Sequence, residues 1–229
     1  MDSERFSRNI SLIGEDNQQK LADSCVMLVG VGGVGGYAGE TLVRAGIGKI
    51  IIVDKDTVDI TNLNRQIIAT EKTIGQKKTD VFESRAKSIN PNIEIVKYEI
   101  FLDGNNTEEI FKEKVDFVVD CIDTMSAKTE IWRYCQQNDI PYISSLGMAK
   151  RINPQKVRIT TLDKTENDPM AKALRQISRK KELSLKVPVV FSDESPMNND
   201  VLLGSMMPVC ATAGIMCGYY VISKILHLE

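Results

Sequence analysis

The sequence predicts an α/β protein with a mostly parallel sheet and helices on both faces. Short β-branched strands alternate with amphipathic helical stretches, which is typical of parallel strand–helix–strand units. A glycine-rich turn follows the first predicted strand, and an aspartate ends the second. We expect one unit of 229 residues, completed by a basic C-terminal elaboration and an apolar C-terminal helix.

The regular alternation of elements covers the first two thirds of the chain. Beyond about residue 146 no further regular strand–helix–strand unit is evident, so residues 1–146 are expected to form the main sheet and residues 147–229 the elaboration. The predicted helices are residues 34–45, 75–89 and 125–137, and the predicted strands are residues 25–30, 49–54, 93–98, 115–120 and 141–146.

The composition is that of a globular protein with its own core. Hydrophobic residues make up 42% and charged residues 26%, which excludes a disordered or fibrous chain. The five cysteines form no Cys-x-x-Cys pair, which argues against a disulfide framework, and residues 1–8 lack the apolar core of a secretion signal. A cytoplasmic location is expected.

Residues 201–223 carry no charge and are long enough to cross a bilayer. Pro208 interrupts this stretch, Ser205 and Thr212 dilute it, and its Gly and Ala content suits a closely packed helix. An apolar helix is either core or membrane, and we expect a buried helix packed on the sheet or on a partner subunit, with no membrane contact.

A basic segment is hidden by the net charge of −2. Residues 150–186 contain eleven Lys or Arg against four Asp or Glu. Asp168 followed by Pro169 predicts the start of a helix that runs to about Lys181. Helical periodicity places Lys172, Arg175 and Arg179 on one outward face, which is either a solvated surface or a track for nucleic-acid phosphates.

Residues 30–35 (GVGGVG) fit the pattern G-x-G-x-x-G between a strand and a helix, where backbone amides and the helix N-terminus can face phosphates. Asp54 ends the second strand, where a carboxylate can bind ribose hydroxyls. Taken alone, the pattern indicates a Rossmann-type fold with NAD as the default ligand.

The residues that follow favour ATP. Arg65 lies in the segment 62–66 (NLNRQ), and Lys78 opens the next helix. Hydride transfer has no need of fixed cations at this place, whereas a departing pyrophosphate does. Asp123, after the fourth strand, adds a carboxylate able to bind Mg²⁺ beside the same crevice.

From Arg5 to about residue 146 these motifs resemble the ThiF/MoeB/HesA group of ubiquitin-activating-enzyme-like adenylyltransferases. The resemblance implies that Arg65, Lys78 and Asp123 are catalytic, with Asp123 also associated with Mg²⁺. It further implies that Arg8 reaches into the neighbouring subunit's site, and therefore a homodimer. The implied ATP site comprises Gly30, Gly32, Gly33, Gly35, Asp54, Asp56, Asn62, Arg65, Gln66 and Lys78.

The second half resembles tRNA threonylcarbamoyladenosine dehydratases, through residues 163–175 (DKTENDPMAKALR) and 189–194 (VVFSDE). This resemblance implies ATP-dependent cyclisation of N6-threonylcarbamoyladenosine in tRNA through carboxylate adenylation. The basic residues Lys172, Arg175 and Arg179 become candidate tRNA contacts. A sulfur-relay protein is a further candidate partner.

Two alternative activities remain, besides a non-catalytic module that binds nucleotide or tRNA without turnover. The chain could adenylate the C-terminus of a ubiquitin-like sulfur-carrier protein, although it lacks the two Cys-x-x-Cys pairs of the structural zinc site common in that branch, and its one histidine, His227, has no cysteine nearby. It could also be an NAD-dependent oxidoreductase that uses the same glycine turn, but then Arg65 and Lys78 would have no evident task.

Overall fold

The computed structural model describes residues 4–103, 106–198 and 203–228. Within them one seven-stranded sheet has the order β3-β2-β1-β4-β5-β7-β6. All neighbouring strands are parallel except β6, which pairs antiparallel with β7. The strands are β1 (Cys25–Val29), β2 (Lys49–Val53), β3 (Glu94–Tyr98), β4 (Phe117–Asp120), β5 (Tyr142–Ser145), β6 (Val157–Thr161) and β7 (Pro188–Ser192).

Helices cover both faces of the sheet, as predicted. Successive residues of a strand point to opposite faces, so Val26 and Leu28 of β1 enter one core while Met27 and Val29 enter the other. A parallel strand that is buried on both faces has a continuously apolar sequence, and the sequences of β1 and β2 show this. The helices are α1 (Ser7–Ile13), α2 (Glu15–Ala22), α3 (Gly35–Ala45), α4 (Lys78–Ile89), α5 (Thr107–Ile110), α6 (Met125–Gln137), α7 (Pro169–Lys180) and α8 (Met207–Ile225).

Each element predicted in the first half is present to within a few residues, whereas α1, α2 and α5 were not predicted. The largest shift is at α4, which begins at Lys78 rather than at residue 75. Gly75 adopts a left-handed φ of 82°, and Lys77 pairs with Thr57 in an isolated antiparallel bridge, so the chain is still extended at that point. The shift makes Lys78 the first residue of its helix.

The expectation that no regular unit follows residue 146 is wrong. Strands β6 and β7 extend the sheet, and β7 pairs parallel with β5 after the crossover that contains α7. In the antiparallel edge strand β6 (VRITT) only Val157 is buried, Arg158 is exposed and the other three residues are half-buried, so it has none of the continuous apolar character that marked the earlier strands. The predicted Asp168 cap is confirmed, since its carboxylate accepts from the Ala171 amide at 3.0 Å.

Helix α8 is the core helix that its composition predicted. By length and composition alone, this helix could cross a membrane, but it packs along α3 and against the sheet. Added Cβ atoms at Gly214 and Gly218 would clash with Val34 and Thr41 beside and within α3, so the two helices approach backbone to backbone. The predicted apolar stretch began at residue 201, and residues 201 and 202 lie outside the described part of the chain.

Candidate nucleotide-binding and catalytic crevice

A crevice of about 370 Å³ opens at the carboxyl ends of the central strands. It lies where the strand order reverses between β1 and β4, which is where open α/β sheets bind ligands. A smaller cavity beside Ile100, Phe101 and Leu102 adjoins this crevice, and some residues, Asp123 among them, line both. The crevice is lined by Gly30, Gly32, Gly33, Val34, Asp54, Asp56, Asn62, Arg65, Gln66, Lys78, Cys121, Ile122, Asp123, residues 145–149, Met170, Ser205 and Cys210.

The glycine turn serves both packing and ligand access. Gly30 has a left-handed φ of 88°, and a Cβ there would meet the Cys121 backbone at 3.1 Å. Gly35 does not line the crevice. A Cβ added to it would lie 1.8 Å from the Gly30 carbonyl oxygen, so glycine is needed there for close packing. Gly32 is open, with only the Gln66 amide within 4 Å of an added Cβ. Of the four predicted glycines, Gly30, Gly32 and Gly33 therefore face the site.

Asp54 holds the glycine turn in addition to lining the crevice. One carboxylate oxygen accepts from the Val31 amide at 2.7 Å, and the other accepts from the Asp56 amide at 2.8 Å. These two hydrogen bonds join the end of β2 to the turn after β1. The carboxylate expected to bind ribose is thus fixed in orientation by the backbone on both sides.

Two cationic side chains border the crevice near the glycine turn. The buried Lys78 ammonium lies 3.0 Å from the exposed carboxylate of Asp56. Arg65 packs its aliphatic stem over Gly33, and its guanidinium donates to the Thr61 carbonyl at 2.8 Å. Both predicted cations are therefore where an anionic ligand on the turn would meet them.

Two amide side chains complete this side of the site. Asn62 ends a short 3-10 helix and is held in a reciprocal capping box with Asp59, whose amide donates to its Oδ1 at 3.0 Å. Gln66 is buried, and its Oε1 has no hydrogen-bond partner among the described residues. An unpaired buried oxygen costs free energy unless a ligand or water satisfies it, which fits a binding role.

The two aspartates at the end of β4 have different roles. Asp123 is exposed and lines both the crevice and the smaller cavity. Asp120 is fully buried and accepts from Lys128 at 3.0 Å, Ser144 at 2.7 Å and Trp132 at 3.1 Å. Sequence reasoning missed Lys128, which also donates to the Ser145 carbonyl at 2.8 Å and so supports the crevice floor from beneath.

The far wall of the crevice, defined here as residues 145–149 and Met170, faces the glycine turn. It arises from the loop after β5 and from the first turn of α7. Cys210 lies between the two sides, close to Gly33, and its burial raises the pKa of its thiol although the charge of Arg65 opposes this. Cys210 and Cys217 of α8 are both buried.

The remaining predicted residues lie outside the crevice. Arg8 is exposed on α1 and does not line the cavity. Lys172 and Arg179 lie exposed on α7. Arg175 departs from the expected outward stripe, because it is half-buried and its guanidinium donates to the Leu162 carbonyl at 3.2 Å and to the Thr165 carbonyl at 3.1 Å.

The strand order, the glycine turn, the acidic residue at the end of β2 and the two cations define a nucleotide-binding protein of the Rossmann type. The chain belongs to the ThiF family, whose profile matches residues 6–229.

Three relatives place the chain within this family. It is 42% identical over 193 residues to the tRNA threonylcarbamoyladenosine dehydratase of Bacillus subtilis, covering 84% of this chain and 76% of that protein. The crystal structure of E. coli tRNA N6-threonylcarbamoyladenosine dehydratase in complex with ATP superposes with a TM-score of 0.93 at 32% identity, covering 98% of this chain and 95% of that one. The sulfur carrier protein ThiS adenylyltransferase of Escherichia coli is 36% identical over 143 residues, 62% of this chain and 57% of that protein.

Proposed function

We propose that this protein binds ATP in the crevice and uses it to activate the threonyl carboxylate of N6-threonylcarbamoyladenosine in tRNA, which then closes into a ring with loss of water. The observation that carries the proposal is the arrangement of Lys78 and Arg65 beside an open glycine turn with Asp123 in the same cavity. The similarity to dehydratases along most of the chain supports the choice of substrate.

The residues at the turn suit a triphosphate. Gly32 leaves space for phosphate oxygens, while Lys78 and Arg65 would neutralise the charge that develops on the leaving pyrophosphate. Asp54 and the nearby Asp56 lie where ribose hydroxyls would bind, and Asn62 and the unpaired Oε1 of Gln66 offer further polar contacts.

Asp123 is the residue that would hold Mg²⁺. The described residues contain no cluster of three His, Cys, Asp or Glu side chains able to enclose a metal. A single exposed carboxylate nevertheless fits Mg²⁺, since this ion binds one or two carboxylates and completes its shell with water and phosphate oxygens. Bound there, it would offset phosphate charge.

The chemistry needs no protein nucleophile. A carboxylate is a poor acceptor because its leaving group would be oxide, whereas attack of its oxygen on the α-phosphorus releases pyrophosphate and yields an acyl-adenylate. The neighbouring carbamoyl nitrogen can then attack the acyl carbon within the same molecule, with high effective molarity, and AMP leaves with the former carboxylate oxygen. The protein's work is to bind, orient and neutralise charge.

A route for the RNA is offered by α7. Its first turn contributes Met170 to the crevice. Lys172 and Arg179 follow on the same helix, and their exposed side chains have no hydrogen bond or ion pair among the described residues. Phosphate contacts of this kind give affinity that falls with salt. Arg175 can contribute only in part, because its guanidinium is engaged with the Leu162–Lys164 turn.

The partner and location proposals follow from family resemblance. A homodimer would bring Arg8 of one subunit towards the other subunit's site, and a sulfur-relay protein is a further candidate partner. Leu12, Ile215 and Tyr219 are large apolar side chains left exposed on α1 and α8, which suits contact with a second copy. We place the reaction in the cytoplasm.

The test is to incubate the protein with ATP, Mg²⁺ and tRNA that carries the linear threonylcarbamoyl group. The tRNA is then digested, and the masses of its nucleosides are measured by mass spectrometry. We expect the loss of one water. Lys78→Ala and Asp123→Ala are each expected to lower the rate by about 10²–10³, the usual effect of removing one charge-stabilising group, while both remain folded.

Lys77→Ala is the matched control. Lys77 is the preceding residue, is exposed and pairs with Glu99, and it does not line the crevice. Its loss is expected to leave the rate unchanged. Full activity in both Lys78→Ala and Asp123→Ala would refute the site.

A second candidate function is adenylation of the C-terminus of a small ubiquitin-like protein, which the 36% identity to ThiS adenylyltransferase favours. The discriminating measurement is ATP–pyrophosphate exchange. Exchange that depends on such a carrier protein and ignores tRNA would support this candidate over the dehydratase.

A further inference from the structure

Arg151 joins three separate segments behind the far wall of the crevice, and we propose that it is a positioning residue that sets this wall at the distance from the glycine turn that the RNA substrate requires. The inference rests on the proposed function, because the substrate carboxylate must approach ATP from the side opposite the glycine turn, Arg65 and Lys78. Arg151 touches none of these residues.

The first two segments are the loop after β5 and the segment after β7. One guanidinium nitrogen of Arg151 donates to the Gly147 carbonyl at 2.5 Å and lies 3.4 Å from that of Ala149. Its Nε donates to the Glu194 carbonyl at 3.1 Å. The Glu194 carboxylate returns to the loop, accepting from the Asn153 amide at 2.8 Å. The wall is thereby tied to the end of the last strand.

The third segment is the start of α7. The other terminal nitrogen of Arg151 lies 3.4 Å from the Asn167 carbonyl and 3.5 Å from the Asp168 carboxylate. Asp168 caps α7 through its other oxygen, and Met170 in the first turn belongs to the wall. Arg151 therefore also fixes where the basic face of α7 begins.

Burial makes this arrangement hard to replace. The side chains of Arg151 and Asp168 are 4% and 1% exposed, and the Asp168 oxygen nearest Arg151 accepts no hydrogen bond among the described residues, so the ion pair with Arg151 is its compensation. Removing either partner would leave a buried charge unpaired. Only a planar guanidinium can reach so many carbonyl oxygens at once, so lysine is not an equivalent residue.

The backbone around Arg151 needs this support. Lys150 and Asn167 adopt left-handed φ angles of 62° and 54°, which non-glycine residues keep only where the surroundings hold them. Lys150 lies between Ala149 and Arg151, and the carbonyl of Asn167 lies 3.4 Å from the Arg151 guanidinium. Among the described residues, Arg151 supplies the hydrogen bonds that connect residues 147–149 to the start of α7, and these would be lost without its guanidinium.

The experiment compares Arg151→Lys with the unmodified protein. The dissociation constant for ATP, measured by calorimetry, is expected to stay within about threefold. The value of kcat/KM for the modified tRNA is expected to fall by about tenfold to a hundredfold, mainly through KM, as for a misplaced substrate-binding surface. Asp168→Asn keeps the helix cap and is expected to give a smaller change in the same direction.

Arg85→Lys is the matched control. Arg85 binds Glu40 on α3, away from the crevice, and the same substitution there is expected to change neither constant. Equal losses of ATP affinity and of tRNA efficiency in Arg151→Lys, or no change in either, would overturn the proposal.

Hydrogen–deuterium exchange separates this inference from the proposed function. In Arg151→Lys the amides of residues 147–152 and 168–172 are expected to exchange faster, whereas those of residues 30–36 stay unchanged. This pattern can appear even if the protein fails to act on tRNA, in which case the proposed function alone falls. Uniformly faster exchange, or none, would exclude a local role for Arg151.

Discussion

At the scale of single residues, the site depends on charges whose partners the sequence does not reveal. Asp120 and Asp123 are three positions apart, yet one is fully buried under the crevice and the other is exposed in it. Asp120 is the last residue of the buried strand β4, and its charge is compensated by Lys128, which is fully buried and bonds both Asp120 oxygens at 3.0 Å. A lysine on a predicted helix gave no reason to expect burial, since buried lysines are rare unless paired.

The buried pair predicts a large stability effect. Lys128→Met would leave the Asp120 carboxylate unpaired in the core and is expected to lower the free energy of unfolding by about 3–5 kcal/mol. Urea denaturation monitored by circular dichroism measures it.

A second substitution should recover part of this loss. Combining Lys128→Met with Asp120→Asn removes the uncompensated charge and keeps acceptors for Ser144 and Trp132. A loss below about 1 kcal/mol in the single variant, the range of an exposed pair, would show that the pair contributes little.

At the scale of elements, helices α3, α4, α6, α7 and α8 and strands β1 to β5 were predictable because each carries its own periodicity or apolar run, whereas the short helices α1, α2 and α5 were not predicted. The glycine turn and the cap at Asp168 were predictable because they depend on local backbone geometry. Strand β6 was not, because it has no continuous apolar run. Strand β7 is buried and apolar, but the sequence does not reveal that an antiparallel strand, β6, precedes it in the same crossover. The far wall was missed for the same reason, since Arg151 and Glu194 meet only after β7 has paired with β5.

The close approach of α8 and α3 gives a prediction at this scale. Replacing a helical glycine by alanine usually stabilises a helix, but a Cβ at Gly214 would clash with the Val34 carbonyl. Gly214→Ala is therefore expected to lower the free energy of unfolding by about 1–3 kcal/mol.

Gly204→Ala serves as the comparison in thermal denaturation. An added Cβ at Gly204 meets nothing within 4 Å, so this variant is expected to change stability by less than about 0.5 kcal/mol. A neutral or stabilising Gly214→Ala would mean that α8 can shift away from α3.

At the scale of the whole molecule, the two sides of the crevice come from opposite halves of the chain but stand on one sheet. The ATP side is built from residues 30–78, and the far wall from residues 145–170. Arg8 does not line the crevice of its own chain. Completion of the site by a second subunit remains a prediction from family resemblance.

Subunit complementation tests this prediction. Arg8→Ala and Lys78→Ala are each expected to be inactive alone. After the two are mixed and their subunits exchange, half of the dimers are mixed, and each mixed dimer has one intact site. About a quarter of the unmodified activity is then expected. No recovery, with exchange verified by native mass spectrometry, would place Arg8 in its own subunit's site, and full activity of Arg8→Ala alone would place it outside the reaction.

The bond from the Val31 amide to the Asp54 carboxylate has a thermodynamic consequence. Together with the left-handed conformation of Gly30, it fixes the shape of the glycine turn through contacts within the protein itself. Nucleotide binding then costs little conformational entropy in this turn, and a smaller entropy cost raises the affinity without any additional contact. If Asp54 binds ribose as proposed, Asp54→Ala is expected to lower ATP affinity by more than the loss of the ribose hydrogen bonds alone, because the turn would also lose the bonds that order it.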